Sequence, residues 1–253
     1  KIAERVFPHT AYWWGTASLV NRYLVTPPQR MRSEDEQLAN GNVRTVTTID
    51  TPKGALTAVK QLDRRSRTSW TEKYPVESEA DIERIASIPW ELPEELAPPD
   101  LSKVPENFED RGICMTLTSS PFVCVAGMMS YQWFLELALT RSELILELTE
   151  ICRKRILDVL EVMLSKPGIE YVWIGGSEWV TPPMASPAVY DRFVQEQERS
   201  LITNIHDRSD TAVHVHCHGH VRHALKRMIE RGVDYTEPVE PPPDGDITMA
   251  EAK

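Results

Sequence analysis

The sequence has no long apolar run: nothing in it approaches the roughly 20 apolar residues needed to cross a bilayer. Its first residues, Lys1 to Pro8, lack the apolar core of a secretory signal. Only four cysteines occur in 253 residues, Cys114, Cys124, Cys152 and Cys217, and no two stand in a Cys-x-x-Cys pair. That spacing offers neither a zinc finger nor a dithiol redox motif, and it fits a reducing cytoplasm. Positive charge is short as well: 28 Lys and Arg against 38 Asp and Glu leave a net charge of -10. Nucleic acid and anionic membrane surfaces both call for a basic face, so neither is expected as a partner. No Gly-x-Gly-x-x-Gly or Walker loop follows any strand-like run. A nucleotide-binding doubly wound sheet is therefore disfavoured against a barrel.

What is present is an ordinary globular composition, 41% hydrophobic and 26% charged, at a length suited to one large α/β domain. Residues 1–40 read as helical and irregular, with the aromatic cluster Tyr12-Trp13-Trp14. Two β-rich runs, 43–50 and 55–62, flank Thr51-Pro52-Lys53-Gly54 and predict a hairpin. With a third short strand from Arg67 to Trp70 they form an insertion over 43–76. A helix is expected over 78–88, capped by Ser78, and a proline-rich connecting loop over 89–110. Strands and helices then alternate: strands at 113–117, 171–174, 212–216 and 233–239, helices at 128–139, 141–165, 187–205 and 221–231. Alternation at this spacing predicts parallel βαβ units, and so an α/β fold of the (β/α)8 TIM-barrel type over residues 1–253, with the hairpin inserted near its start. Four strands in the second half do not complete eight. The chain also stops one turn into a helix capped by Thr248 and Glu251, so the barrel is expected to be incomplete at its C-terminus, with further βα units beyond Lys253.

In such a barrel the chemistry gathers at the C-terminal ends of the strands. The end at His214-Val215-His216-Cys217-His218-Gly219 is the richest, since five of the seven histidines lie between His214 and His223. Alternation puts His214, His216 and His218 on one face and Val213, Val215 and Cys217 on the other. A His-x-His pair on one face suits joint metal ligation, so His216 and His218 are read as metal ligands, with zinc as the metal. Acid–base work, anion binding by protonated imidazole and purely structural hydrogen bonding are the alternatives. His214 lies deeper and is a candidate catalytic residue. Gly219 lets the backbone turn beside the site. The second strand end, Gly175-Gly176-Ser177-Glu178-Trp179, places Ser177 and Glu178 at the mouth. Glu178 is a candidate third ligand or general acid–base, and Trp179 a pocket wall. Ser177, Trp179 and Gly219 are taken together as cofactor-binding. At the third end, Glu237-Pro238-Val239-Glu240, alternation allows one glutamate to face the barrel. Glu240, nearer the tip, is preferred as the catalytic one.

Several of these stretches resemble the uroporphyrinogen decarboxylase superfamily. They are His216-Cys217-His218-Gly219 followed by an amphipathic helix, Gly232-Val233-Asp234 and Glu237 to Glu240; Ile174 to Glu178 followed by Ala185-Ser186-Pro187 and Tyr190; and the hairpin turn Thr51 to Gly54 with Trp70. The resemblance covers residues 43 to 253 and implies a (β/α)8 barrel. It implies either zinc-dependent methyl transfer linked to a corrinoid cofactor or cofactor-free decarboxylation of a tetrapyrrole. The partner would then be a small-molecule substrate or a corrinoid protein. A non-catalytic corrinoid-binding partner is a reading of another class. Two departures bear on this. His218 stands where the methyltransferase pattern has a cysteine, and the arginine-rich motif of the tetrapyrrole decarboxylases is absent. The first weakens a thiolate zinc site, and the second favours a methyltransferase-like relative over a tetrapyrrole decarboxylase.

Overall fold

Two sheets carry the chain. The structure is a computed structural model that describes residues 12–15, 19–104 and 112–253; of Tyr12 to Trp14 and of Lys103 only the backbone is described. One sheet is parallel and joins β1 (Tyr12–Gly15), β6 (Gly112–Ser119), β7 (Tyr171–Gly175), β8 (Ala212–His216) and β9 (Tyr235–Glu237) in that order. The other is an antiparallel meander of β2 (Met31–Gln37), β3 (Val43–Ile49), β4 (Leu56–Leu62) and β5 (Ser69–Lys73). Consecutive parallel strands in chain order are the wall pattern of a TIM-type barrel. Among the described residues β1 and β9 each pair on one side.

The parallel sheet has one face under helices and one turned away from them. Val172, Ile174, Val213, Val215 and Cys217 are buried and belong to the main core. That core is completed by α2 (Pro121–Ala126), α3 (Tyr131–Thr140) and α4 (Ser142–Met163). In α4 the buried residues Ile145, Leu148, Cys152, Ile156, Val159, Leu160 and Met163 recur every three or four positions, which is one helical stripe. The next crossover runs through α5 (Pro187–Tyr190), a π-helical turn at Asp191–Gln195 and α6 (Glu196–Arg208). Then come α7 (Arg222–Glu230) and a last turn α8 (Met249–Ala252), where Thr248 and Glu251 form the expected capping box. In α1 (Glu79–Ala86), Ser78 caps by accepting from the Asp81 amide. No helix among the described residues is long and apolar enough to cross a membrane.

Several elements differ from their sequence-based limits. The first forty residues were expected to be helical and irregular, yet Met31–Gln37 is a strand, nearly every position of it exposed. Its seven residues pair one for one with β3, Met31 opposite Ile49 and Gln37 opposite Val43. That partner ladder, rather than its own acidic composition, makes it a strand. Tyr12 to Gly15 is also strand, pairing with Gly112 to Met115, while the side chains of the Tyr12-Trp13-Trp14 cluster lie outside the described residues. The third meander strand begins at Ser69 rather than Arg67, because Arg67 sits in a left-handed turn with φ 56°. The helix expected over 128–139 starts at Tyr131, where Ser130 accepts from the Trp133 amide. The strand expected over 233–239 is only Tyr235–Glu237. Of the 89–110 loop, the part up to Val104 is described and holds a short 3-10 turn at Leu101–Lys103.

Candidate functional site

The face turned away from the helices carries a row of side chains that follows from register. His214 pairs with Tyr235 and His216 with Glu237 across β8 and β9, and Trp173 stands opposite His214 across β7 and β8. The Nδ1 atom of His216 lies 2.7 Å from Oε1 of Glu237, and the Trp173 indole N–H donates to the same oxygen at 3.1 Å. His214 Nε2 stands 3.7 Å from that oxygen. The Trp173 and His216 rings are 5.1 Å apart at 35°. Gly175 makes room for this indole, since a Cβ there would lie 2.6 Å from the Trp173 ring. Deeper on the same face, Ile113, Met115, Tyr171, His214, Tyr235 and Thr236 line a cavity of about 220 Å³.

The row continues past the strand. His218 Nδ1 lies 3.0 Å from Oε1 of Glu240, whose other oxygen accepts from the Gly219 amide at 2.6 Å. Gly219 has φ +86°, a conformation that glycine adopts without penalty. The His216 and His218 rings meet edge to face with centres 4.6 Å apart. Burial pushes the Glu237 carboxyl up, but the hydrogen bonds from His216 and Trp173 outweigh it and hold it below the ordinary range. The Gly219 amide, then His218, holds Glu240 below that range too. Burial lowers His214, with Glu237 opposing, so the deepest imidazole favours its neutral form.

An ionised carboxylate only accepts hydrogen bonds, so both histidines present Nδ1–H to their glutamates. In the neutral ring this leaves each Nε2 with its lone pair. Histidines oriented in this way through the opposite nitrogen are suited to metal ligation. The two imidazoles and their anionic partners therefore fit zinc as a pair of nitrogen donors. Among the described residues no three His, Cys, Asp or Glu side chains converge on one point, so no third protein ligand stands beside the two imidazoles there.

The second strand end is organised differently from its sequence reading. Ser177 was expected to face the mouth; instead it is fully buried, and its hydroxyl donates to Glu198 at 2.6 Å. Glu198 in turn pairs at 2.5 Å with Arg231, which also donates to the Tyr190 hydroxyl and the Gln195 side chain. Both side chains of that ion pair have zero exposure. Burial works against the Arg231 charge, and Glu198 and Tyr190 more than restore it. Glu178 lies on a 3-10 turn, Ser177–Val180, with a carboxylate oxygen accepting from the Gly176 amide at 3.1 Å. It therefore leans on its own turn, and the carboxylates that meet the histidines are Glu237 and Glu240. Thr181 ties this turn to the row, its hydroxyl lying 2.9 Å from the Glu178 carbonyl and 3.4 Å from that of His218. Trp179 lines an apolar recess with Tyr131, Glu178 and Met184.

Sequence reasoning chose one glutamate where the structure brings two to the row. The alternation that forced the choice ends with β9 at Glu237, so it does not govern Glu240. Trp173, read only as part of a strand, and the Glu198–Arg231 pair also went unread.

The family model for uroporphyrinogen decarboxylase matches residues 65–238, more than half of the chain. The chain belongs to the uroporphyrinogen decarboxylase family. The matched span of the family includes the Ser177–Val180 turn, the histidine row and Glu237, and stops short of Glu240. Among solved structures, a methyltransferase from Methanosarcina mazei is similar, with a TM-score of 0.51 and 12% identity over 92% of this chain and 59% of that one. At that identity the likeness shows the fold, and this member of the family spans 59% of the length of that methyltransferase. No curated protein matches the chain.

Proposed function

We propose that this member of the uroporphyrinogen decarboxylase family is a metal-dependent methyl-transfer enzyme, with zinc held by His216 and His218. The observation that carries the proposal is the pair of imidazoles, each fixed through Nδ1 by its own carboxylate, at 2.7 Å for His216 and 3.0 Å for His218. Bound there, zinc would act as a Lewis acid on the nucleophile that receives the methyl group. The chain's own part is orientation and charge. Glu237 and Glu240 fix the ring planes of the imidazoles. Trp173 holds Glu237, and His214 behind them, lowered by burial, favours its neutral form. The Glu237 and Glu240 carboxylates in this wall attract a cation and oppose a substrate rich in carboxylates, which supports this reading over tetrapyrrole decarboxylation.

A corrinoid as the methyl-carrying group, borne by a partner protein, belongs to the same proposal on the strength of the family resemblance. So does a cytoplasmic location, supported by four cysteines that are all free and buried.

Metal analysis tests the proposal. Protein dialysed against zinc and then freed of excess is expected to retain a stoichiometric amount, and the His216→Ala/His218→Ala variant to lose it. Wild-type protein that stays metal-free after zinc addition would overturn the assignment.

A further inference from the structure

We infer that the recess walled by Tyr131, Trp179, Met184 and the stem of Glu178 is a subsite for a neutral aromatic ring, set beside the histidine row. The recess has a volume of about 320 Å³. That is at the small end of ligand pockets, and roughly twice the cavity known to hold a benzene molecule, so it suits one substituted ring rather than a macrocycle.

The walls set the chemistry of the occupant. Tyr131 and Trp179 stand edge to face, with ring centres 5.9 Å apart at 85°. At that separation the two rings already touch, so an occupant lies against the open side of the pair and adds a third ring to the contact. The Met184 thioether, on a half-exposed side chain, adds a polarisable contact that also favours aromatic partners. The Glu178 carboxylate is turned to the Gly176 amide, so the glutamate offers the recess mainly its methylene stem. Arg22 already stacks over the Trp179 ring at 5.2 Å and supplies the cation that indole would otherwise attract. A neutral ring is therefore the better match than an ammonium group.

The recess is also held in place. The Tyr131 hydroxyl donates to the Trp179 carbonyl, which locks the two aromatic walls together. The turn carrying Trp179 is anchored from below by the buried chain Ser177–Glu198–Arg231. Preformed walls reduce the ordering cost of binding. Thr181 lies against both this turn and the His218 carbonyl, which puts the recess next to the histidine row. As a substrate subsite the recess rests on the methyl-transfer reading above; as a ring-binding recess it does not.

Binding of small probes to metal-free protein tests it, by calorimetry or ligand-observed NMR. Benzyl alcohol is expected to bind saturably, and cyclohexylmethanol and benzyltrimethylammonium about tenfold more weakly or worse. Met184→Lys, at an exposed position that leaves the fold alone, is expected to weaken benzyl alcohol by about tenfold, and Trp179→Leu by at least as much. His216→Ala/His218→Ala is expected to bind it as wild type does, so a failure of the zinc proposal is read separately. No saturable binding in the wild type overturns the inference. So does equal binding by Met184→Lys, or tighter binding of the ammonium probe than of the alcohol.

Discussion

His216 and Glu237 are register partners on neighbouring parallel strands, and their side chains meet at 2.7 Å on the face turned away from the helices. The backbone ladder thus fixes the pair, with no loop needed to bring them together. The Trp173 indole braces the same carboxylate oxygen from the strand on the other side.

Glu237→Gln keeps the shape of this arrangement and removes its charge. The imidazole of His216 loses the anion that orients it. Zinc affinity is expected to fall by about 10–100-fold, measured by competition with a chromophoric chelator. An affinity equal to wild type would remove Glu237 from the site.

The Glu198–Arg231 pair is fully buried, so removing one partner leaves an uncompensated charge. Glu198→Ala is expected to lower stability by about 3–5 kcal/mol in denaturant unfolding. Glu198→Leu/Arg231→Met, which removes both charges, is expected to lose clearly less than the sum of its singles. Additive losses would mean that the two groups are not coupled.

Acid should destabilise this protein in two stages. His214 has a lowered folded-state pKa, so its contribution is complete above the ordinary value of 6.5 and is lost as pH falls through the lowered value. Glu237 and Glu240 are also lowered, so their contribution is complete above 4.5 and is lost as pH falls below it. Denaturant midpoints measured from pH 7 to pH 3 should decline through both stages. His214→Gln should flatten the first and leave the second. A midpoint that rises on acidification from 6.5 would contradict the burial assigned to His214.

Gly176→Ala tests the turn that carries Glu178 and Trp179. Gly176 has φ +106°, and a Cβ there would lie 2.5 Å from a Val123 methyl carbon. A loss of about 1–3 kcal/mol is expected from backbone strain, with the clash adding to it. Val123→Ala in the same chain should recover part of the loss by relieving the clash.

The histidine row was legible because strand alternation needs only neighbouring residues. Val213, Val215 and Cys217 are apolar and buried, and the histidines take the opposite face. What could not be read depended on partners distant in sequence. Met31–Gln37 has an acidic, unstrandlike composition and becomes a strand through β3. Glu198 and Arg231 look like surface charge until the crossover helices bring them together across 33 residues. Ser177 looks like a mouth residue until Glu198 arrives beneath it. Glu237 was passed over for Glu240 because alternation was carried past the point where β9 ends.

Cys217, packed under the helices behind the histidine row, has a thiol pushed far up by burial, with nearby glutamates adding to the effect. Cys114, Cys124 and Cys152 are buried as well. Thiolate is the reactive form, so the folded chain should be silent toward alkylating reagents. Each sulfur becomes a clock: the time at which it takes up label reports when its own part of the sheet or helix layer comes apart.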